Sequence, residues 1–454
     1  MGSAENRHVL QCAVVGAGIA GLGAAIALRR AGHDVEIFEK STLKREIGAA
    51  ITLTPNGNLI LDRWGFDAKR ARQTMKEQYR ILNHQTLEIV EQDSFESVAE
   101  EYGHPFDAYH RVDMHEEIRR LAEQAGAVLR LGSQAVDVDC EKGVITFDDG
   151  SVVTKALVVI ADGIKSRFVD VVSGEHVPTQ KTGKSVYRTL IPFDRIMKDP
   201  LIAPIFDQQK SGFCSFINRE SHMFFVTYPC RNDEVCNLAI FHDTKPHQAN
   251  NEHWNSPVTV EDALELLDGC HPAWPALVRH ADSMNCYVVG RRDVIPRMTN
   301  GKVVLIGDAA HPMQPTHAQG GSMSLEDAAA FEVLFSNWSK EDSVEKRLGL
   351  FNQLRLPRNV VTQLCSNAMF YMIASGDVDE GDAFMAALRR YWDGPLLPLS
   401  SKSWSKPIRN FFYGYDAFAE AEKALKYKDE PNGLPEGVIK HFGVSEVSNQ
   451  SELA

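Results

Sequence analysis

Gln11-Cys12-Ala13-Val14-Val15-Gly16-Ala17-Gly18-Ile19-Ala20-Gly21, with Asp34-Val35-Glu36-Ile37-Phe38-Glu39 two dozen residues on, decides the fold of this chain. The first five residues predict a short buried strand. The glycine-rich turn follows at once, then an Ala/Leu-rich helix from Leu22 to Ala31, then a second strand ending on an acid. This is G-x-G-x-x-G in its strand–turn–helix setting, the signature of a dinucleotide site. Gly16 permits the tight turn, Gly18 lets backbone approach a pyrophosphate, and Gly21 lets helix pack on strand. The helix N-terminus offers free N–H groups and partial positive charge to phosphates. Glu39 is placed to accept both hydroxyls of an adenosine ribose, and an acid there disfavours a 2′-phosphate. The loop therefore reads as an FAD or NAD site rather than an NADP site.

Two later loops have the same logic. The apolar run from Ala156 to Ala161 predicts a buried strand leading into Asp162-Gly163-Ile164-Lys165-Ser166-Arg167. Val303 to Ile306 leads into Gly307-Asp308-Ala309-Ala310-His311-Pro312. Each sets an aspartate at the carboxyl end of a parallel strand, where open α/β sheets place ligands. Either aspartate alone reads equally well as a helix N-cap; three such loops in this order are more specific.

Composition bounds the rest. The 454 residues are enough for two domains or one elaborate one, and 44% hydrophobic content supports a real core. A net charge of −13 disfavours nucleic acid or an anionic membrane as partner. The eight cysteines form no C-x-x-C pair and no metal-ligand spacing, which predicts reduced thiols in a cytoplasmic protein. The polar start carries no signal-peptide pattern, and no run approaches the roughly 20 apolar residues of a membrane span. Strand-like runs at 185–191, 213–217, 223–228 and 236–241, with a helix near 260–267, predict an inserted antiparallel or mixed sheet.

The order of the three loops resembles that of the single-component FAD-dependent aromatic monooxygenases, the salicylate- and p-hydroxybenzoate-hydroxylase-like flavoproteins. Flanking stretches share it: Glu46-Ile47-Gly48-Ala49-Ala50, His110-Arg111-Val112-Asp113, and Gln319-Gly320-Gly321 before Glu326-Asp327-Ala328. Phe412-Tyr413-Gly414-Tyr415-Asp416-Ala417 is similar to the fungal secondary-metabolite branch. Ile160 and Val169 depart from the usual second motif, where Arg167 offers a replacement arginine.

The resemblance implies a Rossmann-type FAD-binding domain over 8–180 and 285–375. It also implies an inserted substrate sheet over 181–284, a helical region over 376–440 and a mobile tail over 441–454. It implies FAD contacts at Gly16, Gly18, Gly21, Glu39 and Ala50, and a pyrophosphate or ribityl contact at Arg111. Asp162 would serve FAD and nicotinamide, Asp308 the ribityl hydroxyls, and Pro315 the isoalloxazine edge. Gly320 and Gly321 would start a helix aimed at the flavin. NADPH or NADH would act as transient reductant and O2 as co-substrate, through a C4a-hydroperoxyflavin. No metal is implied. The substrate would be an electron-rich aromatic or indole-containing secondary metabolite, hydroxylated or epoxidised.

Arg188, in Val186-Tyr187-Arg188-Thr189-Leu190, and Tyr228, in Phe225-Val226-Thr227-Tyr228, are the candidate catalytic side chains by the same resemblance. A carboxylate-paired edge-strand arginine and an ordinary core tyrosine are the plainer readings of the two. An FAD-dependent oxidase or dehydrogenase and a non-catalytic GDI-like binding protein stay open as alternatives.

Overall fold

The computed structural model describes residues 8–43, 49–206, 210–248, 256–375, 386, 388–391, 404–435 and 437–438. The Glu46-Ile47-Gly48 stretch, most of 376–403 and the tail 441–454 lie outside them.

A six-stranded sheet forms the centre of the first layer. Its order is Thr299–Asn300, Val303–Leu305, Leu157–Ile160, Gln11–Val15, Asp34–Glu39, Val128–Leu131. Every pairing is parallel except the short 299–304 hairpin at one edge. The central strands are unbroken apolar runs because a parallel sheet is covered on both faces. Ala13, Val14 and Leu157–Ile160 are fully buried. The Ile19–Arg30 helix packs on this sheet, and the Gly320–Leu334 helix packs on that helix. Parallel pairing puts the three motif loops at one end, after Val15, Ile160 and Leu305.

Ala135–Asp139, Val144–Phe147 and Val152–Thr154 make a separate antiparallel meander. Ala50–Leu53, Asp107–His110 and Thr74–Met75 make another small sheet.

The second large sheet has eight strands, in the order Ser256–Val258, Met284–Arg292, Thr179–Pro192, Val235–Asp243, Met223–Cys230, Gly212–Asn218, Gln78–Leu82, Ile89–Ser94. It is mixed, because Gly212–Asn218 pairs parallel with Gln78–Leu82. The strands at 78–94 lie outside the 181–284 stretch expected to build it. Their polar Gln78 and Arg80 sit among buried positions and hide the strand pattern. Trp274, Leu277 and Val278, from a short helix at Ala273–Arg279, pack on one face against Phe216, Phe225, Leu238 and Ile240. That helix carries Pro275 in its first turn, where proline is tolerated.

The Val344–Ser375 helix and the shorter Lys406–Tyr413 and Ala417–Leu425 helices close the molecule. Among the described residues no helix is long and apolar enough to cross a membrane.

Candidate active site

The first loop meets three separate demands with three glycines. Gly16 has φ +101°, and a Cβ there would lie 2.5 Å from the Ala161 carbonyl oxygen. A Cβ on Gly21 would lie 2.0 Å from the Gly16 oxygen. Gly18 has ordinary φ, and a Cβ on it would meet nothing within 4 Å. Its glycine keeps space free beside the helix N-terminus, as a phosphate requires. The Glu39 carboxylate is held against this loop by the Ala17 N–H (2.9 Å) and Ser41 N–H (2.7 Å).

Asp162 and Asp308 end neighbouring strands. Burial raises the Asp162 carboxyl, and its Oδ1 is buried without a hydrogen-bond partner. Asp308 is exposed, although protein crowds around its carboxyl. That crowding raises its carboxyl, while His311, Arg111 and Arg292 pull it back down. Arg111 begins the Arg111–Gln124 helix, is exposed, and acts electrostatically on both Asp308 and Arg188. Ala50 starts its strand by donating its N–H to Asn237 Oδ1 (3.4 Å).

Pro315 is exposed at the start of a one-turn 3₁₀ helix. Gly320 and Gly321 begin the Gly320–Leu334 helix, which has no acid in its first turn. The free N–H groups and partial positive charge of that helix end therefore remain for a ligand. An unpartnered carboxylate oxygen, an unobstructed glycine at one helix N-terminus and an uncapped second helix N-terminus match the donors and acceptors of a flavin dinucleotide.

The loop carrying Asp308 is braced from behind. Asp327 accepts from the Gly307 N–H (3.1 Å) and lies 2.6 Å from His311 Nε2. It also accepts from Arg355 Nε (2.9 Å) and Asn359 Nδ2 (3.0 Å). Glu326 accepts from Arg358 Nε (2.7 Å) and Nη2 (2.8 Å), Arg355 Nη1 (2.9 Å) and Asn56 Nδ2 (2.7 Å). All four charged side chains are fully buried. Arg358 also donates to the Phe411 and Phe412 carbonyls and stacks on Tyr415, 3.7 Å from its ring centre. Glu326 and Asp327 were legible in the sequence only as flanking text; their role in the brace was not.

The register of the eight-stranded sheet brings Arg188 and Tyr228 to one face. Arg188 stands opposite Ala239 and Ala239 opposite Val226; Leu190 stands opposite Asn237 and Asn237 opposite Tyr228. Cross-strand partners share a face and alternate residues along a strand return to it. The same face carries Val186, Phe224, Phe241 and Tyr287, closed over by Phe370.

Arg188 lies on a central strand, as expected of an arginine within an apolar strand and not on an edge as the plainer reading had it. Its guanidinium sits 4.8 Å from the Tyr287 ring centre, a cation–π contact. Tyr228 is buried edge-on to Phe213 (4.8 Å), and burial pushes its phenol far up, so it acts as a neutral hydroxyl. Asn237 and Arg292 escaped the sequence reading. The signal for Arg292 was an arginine closing an apolar strand just before the third motif.

Comparison with known proteins agrees with this geometry. A family model described as FAD binding domain matches residues 9–367. The FAD-dependent monooxygenase cfoG of Aspergillus candidus is 31% identical over 440 residues, 94% of this chain and 97% of that protein. Hispidin-3-hydroxylase of Neonothopanus nambi is 29% identical, over 94% and 98% of the two chains. Among solved structures, CtdE in complex with FAD and substrate 4 superposes with a TM-score of 0.77 at 20% identity, covering 92% of this chain and 98% of that one. At that identity the last likeness shows the fold.

Proposed function

The chain belongs to the FAD binding domain family and is an FAD-dependent monooxygenase, and on that premise we propose that it places one oxygen atom of O2 on an electron-rich aromatic or indole carbon, using NADPH or NADH as transient reductant. The observation that carries this reading is the sheet face shared by Arg188, Asn237 and Tyr228, tied to the start of the Arg111–Gln124 helix because Asn237 Oδ1 accepts from the Ala50 N–H and the Arg111 N–H donates to the Ala49 carbonyl. FAD, once bound and reduced, supplies the electrons that activate O2.

This chain's residues bind and orient. The first loop and Glu39 hold the adenosine end, Asp162 and Asp308 accept from cofactor hydroxyls, and Arg111 neutralises phosphate. The N-terminus of the Gly320–Leu334 helix favours negative charge on the reduced ring. Arg188 holds a phenolate or carbonyl oxygen of the substrate through its planar fork. Tyr228 donates or accepts a neutral hydrogen bond. The aromatic lining and Phe370 exclude water and carry an extended aromatic skeleton. Cofactor binding falls to 8–180 and 285–375 apart from the 78–94 hairpin and the Met284–Arg292 strand, which join 181–284 in the sheet for substrate recognition.

The test is NADPH and NADH oxidation with and without a panel of phenols and indoles, under isotopically labelled O2. One labelled oxygen atom in the product is the expected result. Flavin reduced by substrate without nicotinamide would favour the oxidase or dehydrogenase reading, and product oxygen drawn from water would overturn monooxygenation.

A further inference from the structure

Arg292 ends the Met284–Arg292 strand and is only 3% exposed. Its Nη1 donates to the Ala309 carbonyl (3.0 Å), and its Nη2 to the Ile164 carbonyl (2.5 Å) and Thr179 Oγ1 (3.2 Å). Ala309 directly follows Asp308, and Ile164 directly follows Asp162-Gly163. One side chain thus clasps the second and third motif loops.

The strand end is itself pinned. Gln363 Nε2 donates to the Arg292 carbonyl (2.8 Å) and Gln314 Nε2 to the Gly290 carbonyl (3.0 Å). Arg292 Nε and Asp162 Oδ1 are both buried without a hydrogen-bond partner. Burying a guanidinium against carbonyl groups is expensive, and a packing role alone would be met by an apolar side chain.

We propose that Arg292 is a positioning residue for the dinucleotide: it fixes the gap between the two aspartate loops and keeps Asp162 and Asp308 there as anionic acceptors. The inference rests on the FAD reading above. Two carbonyls on different loops require donors that diverge from one rigid plane, which a guanidinium provides and an ammonium does not. The charge matters separately. Asp308 is faced by His311, Arg111 and Arg292, and Asp162 by Lys40, Arg292 and the Ser166 hydroxyl. Removing Arg292 takes one cation from each aspartate, so both carboxyls rise further.

The experiment is fluorescence titration of apo-protein with FAD between pH 5.5 and 8.5, for the parent, Arg292→Met and Arg292→Lys, beside thermal unfolding of each apo-protein. Arg292→Met is expected to weaken FAD binding at least tenfold and to make it several-fold weaker still at the acid end, where the parent is flat. Arg292→Lys is expected to restore the flat profile, through charge, without restoring the full affinity. An Arg292→Met variant that loses apo-stability and affinity together, with the parent's pH profile, would make Arg292 a packing residue and overturn the proposal. If Arg292→Met does not fold, parent-like affinity in Arg292→Lys overturns it instead. A parent that binds no FAD would sink the cofactor reading itself, whatever the variants do.

Discussion

Glu326 and Asp327 on one side, and Asp162 and Asp308 on the other, are two pairs of carboxylates beside buried arginines, built to opposite ends. Around Glu326 and Asp327 the hydrogen-bonding positions are filled by Arg355, Arg358, Asn56, Asn359, His311 and the Gly307 N–H. At Asp162 one oxygen is buried without a partner, and the Asp308 side chain is exposed. The electrostatics follow. The arginines and His311 hold the Glu326 and Asp327 carboxyls below the usual range, while burial lifts those of Asp162 and Asp308 above it. A closed set of buried charges is a brace. An open set at the ends of parallel strands is kept unsatisfied by the fold, and a ligand completes it.

The comparison breaks most easily at the brace. Replacing one partner of a buried ion pair leaves the other charge uncompensated, at a cost of about 3–5 kcal/mol. Arg358→Met and Glu326→Gln are therefore expected to cut thermal stability more than any change at the open pair, and to loosen the Phe411 and Phe412 carbonyls with it. Unfolding of the apo-protein by heat or urea measures this. Parent-like stability in both variants would mean the brace is idle.

At the open pair the loss should fall on ligand rather than fold. Asp308→Ala removes a charged acceptor worth about 1.5–3 kcal/mol, so FAD should dissociate roughly 10- to 150-fold more readily while the apo-protein stays intact. Glu39→Ala should also release FAD, with an added disturbance of the first loop because Ala17 and Ser41 lose their acceptor. Flavin content after purification and titration of apo-protein decide both; full retention in Asp308→Ala would make the third motif a mere helix cap.

A smaller effect is expected at Arg188. Arg188→Ala should leave FAD bound and nicotinamide oxidation running, with product formed per nicotinamide consumed falling by about tenfold, or about 1.4 kcal/mol. Arg188→Lys should recover part of this, since charge survives and the fork does not. Unchanged coupling in both would reduce Arg188 to a sheet residue stacked on Tyr287, and Tyr228 would be the next candidate.

The two regions also differ in how far their residues could be read in advance. Gly16 is required by a positive φ and by the Ala161 carbonyl, and no other residue type meets both. The buried parallel strands are short apolar runs that local pattern reveals. The eight-stranded sheet is assembled from segments two hundred residues apart, so the company Arg188 keeps depends on register that no local stretch encodes. Asn237 and Tyr287 gain meaning only from that register. Gln78 and Arg80 disguised a buried strand, and Pro275 disguised a helix. Arg292 stood next to Arg291 in a sequence where either could have been the solvated one.

The smallest expected effect is the one that separates the two carboxylate pairs most cleanly. A carboxyl raised in the folded state binds its proton more tightly there than in the unfolded chain. Stability then falls as pH rises from the unfolded value near 3.9 through the raised folded value. Asp162 should therefore burden the apo-protein at pH 7, and Asp162→Asn should lift its melting temperature there; Asp308→Asn should do so less, since solvent reaches that carboxyl. That gain should vanish near pH 4, where the native carboxyl is already protonated. Asp327, lowered in the folded state, behaves oppositely. Its stabilisation is complete above the unfolded value and is lost only as pH falls below it, so the deficit of Asp327→Asn should be constant from pH 5 to 7 and shrink below pH 4. Melting curves of the three apo-variants across pH 3.5–7 test this directly. A pH-independent difference in all three would mean that the open pair is as well satisfied as the closed one, and that the fold holds nothing in reserve for a ligand.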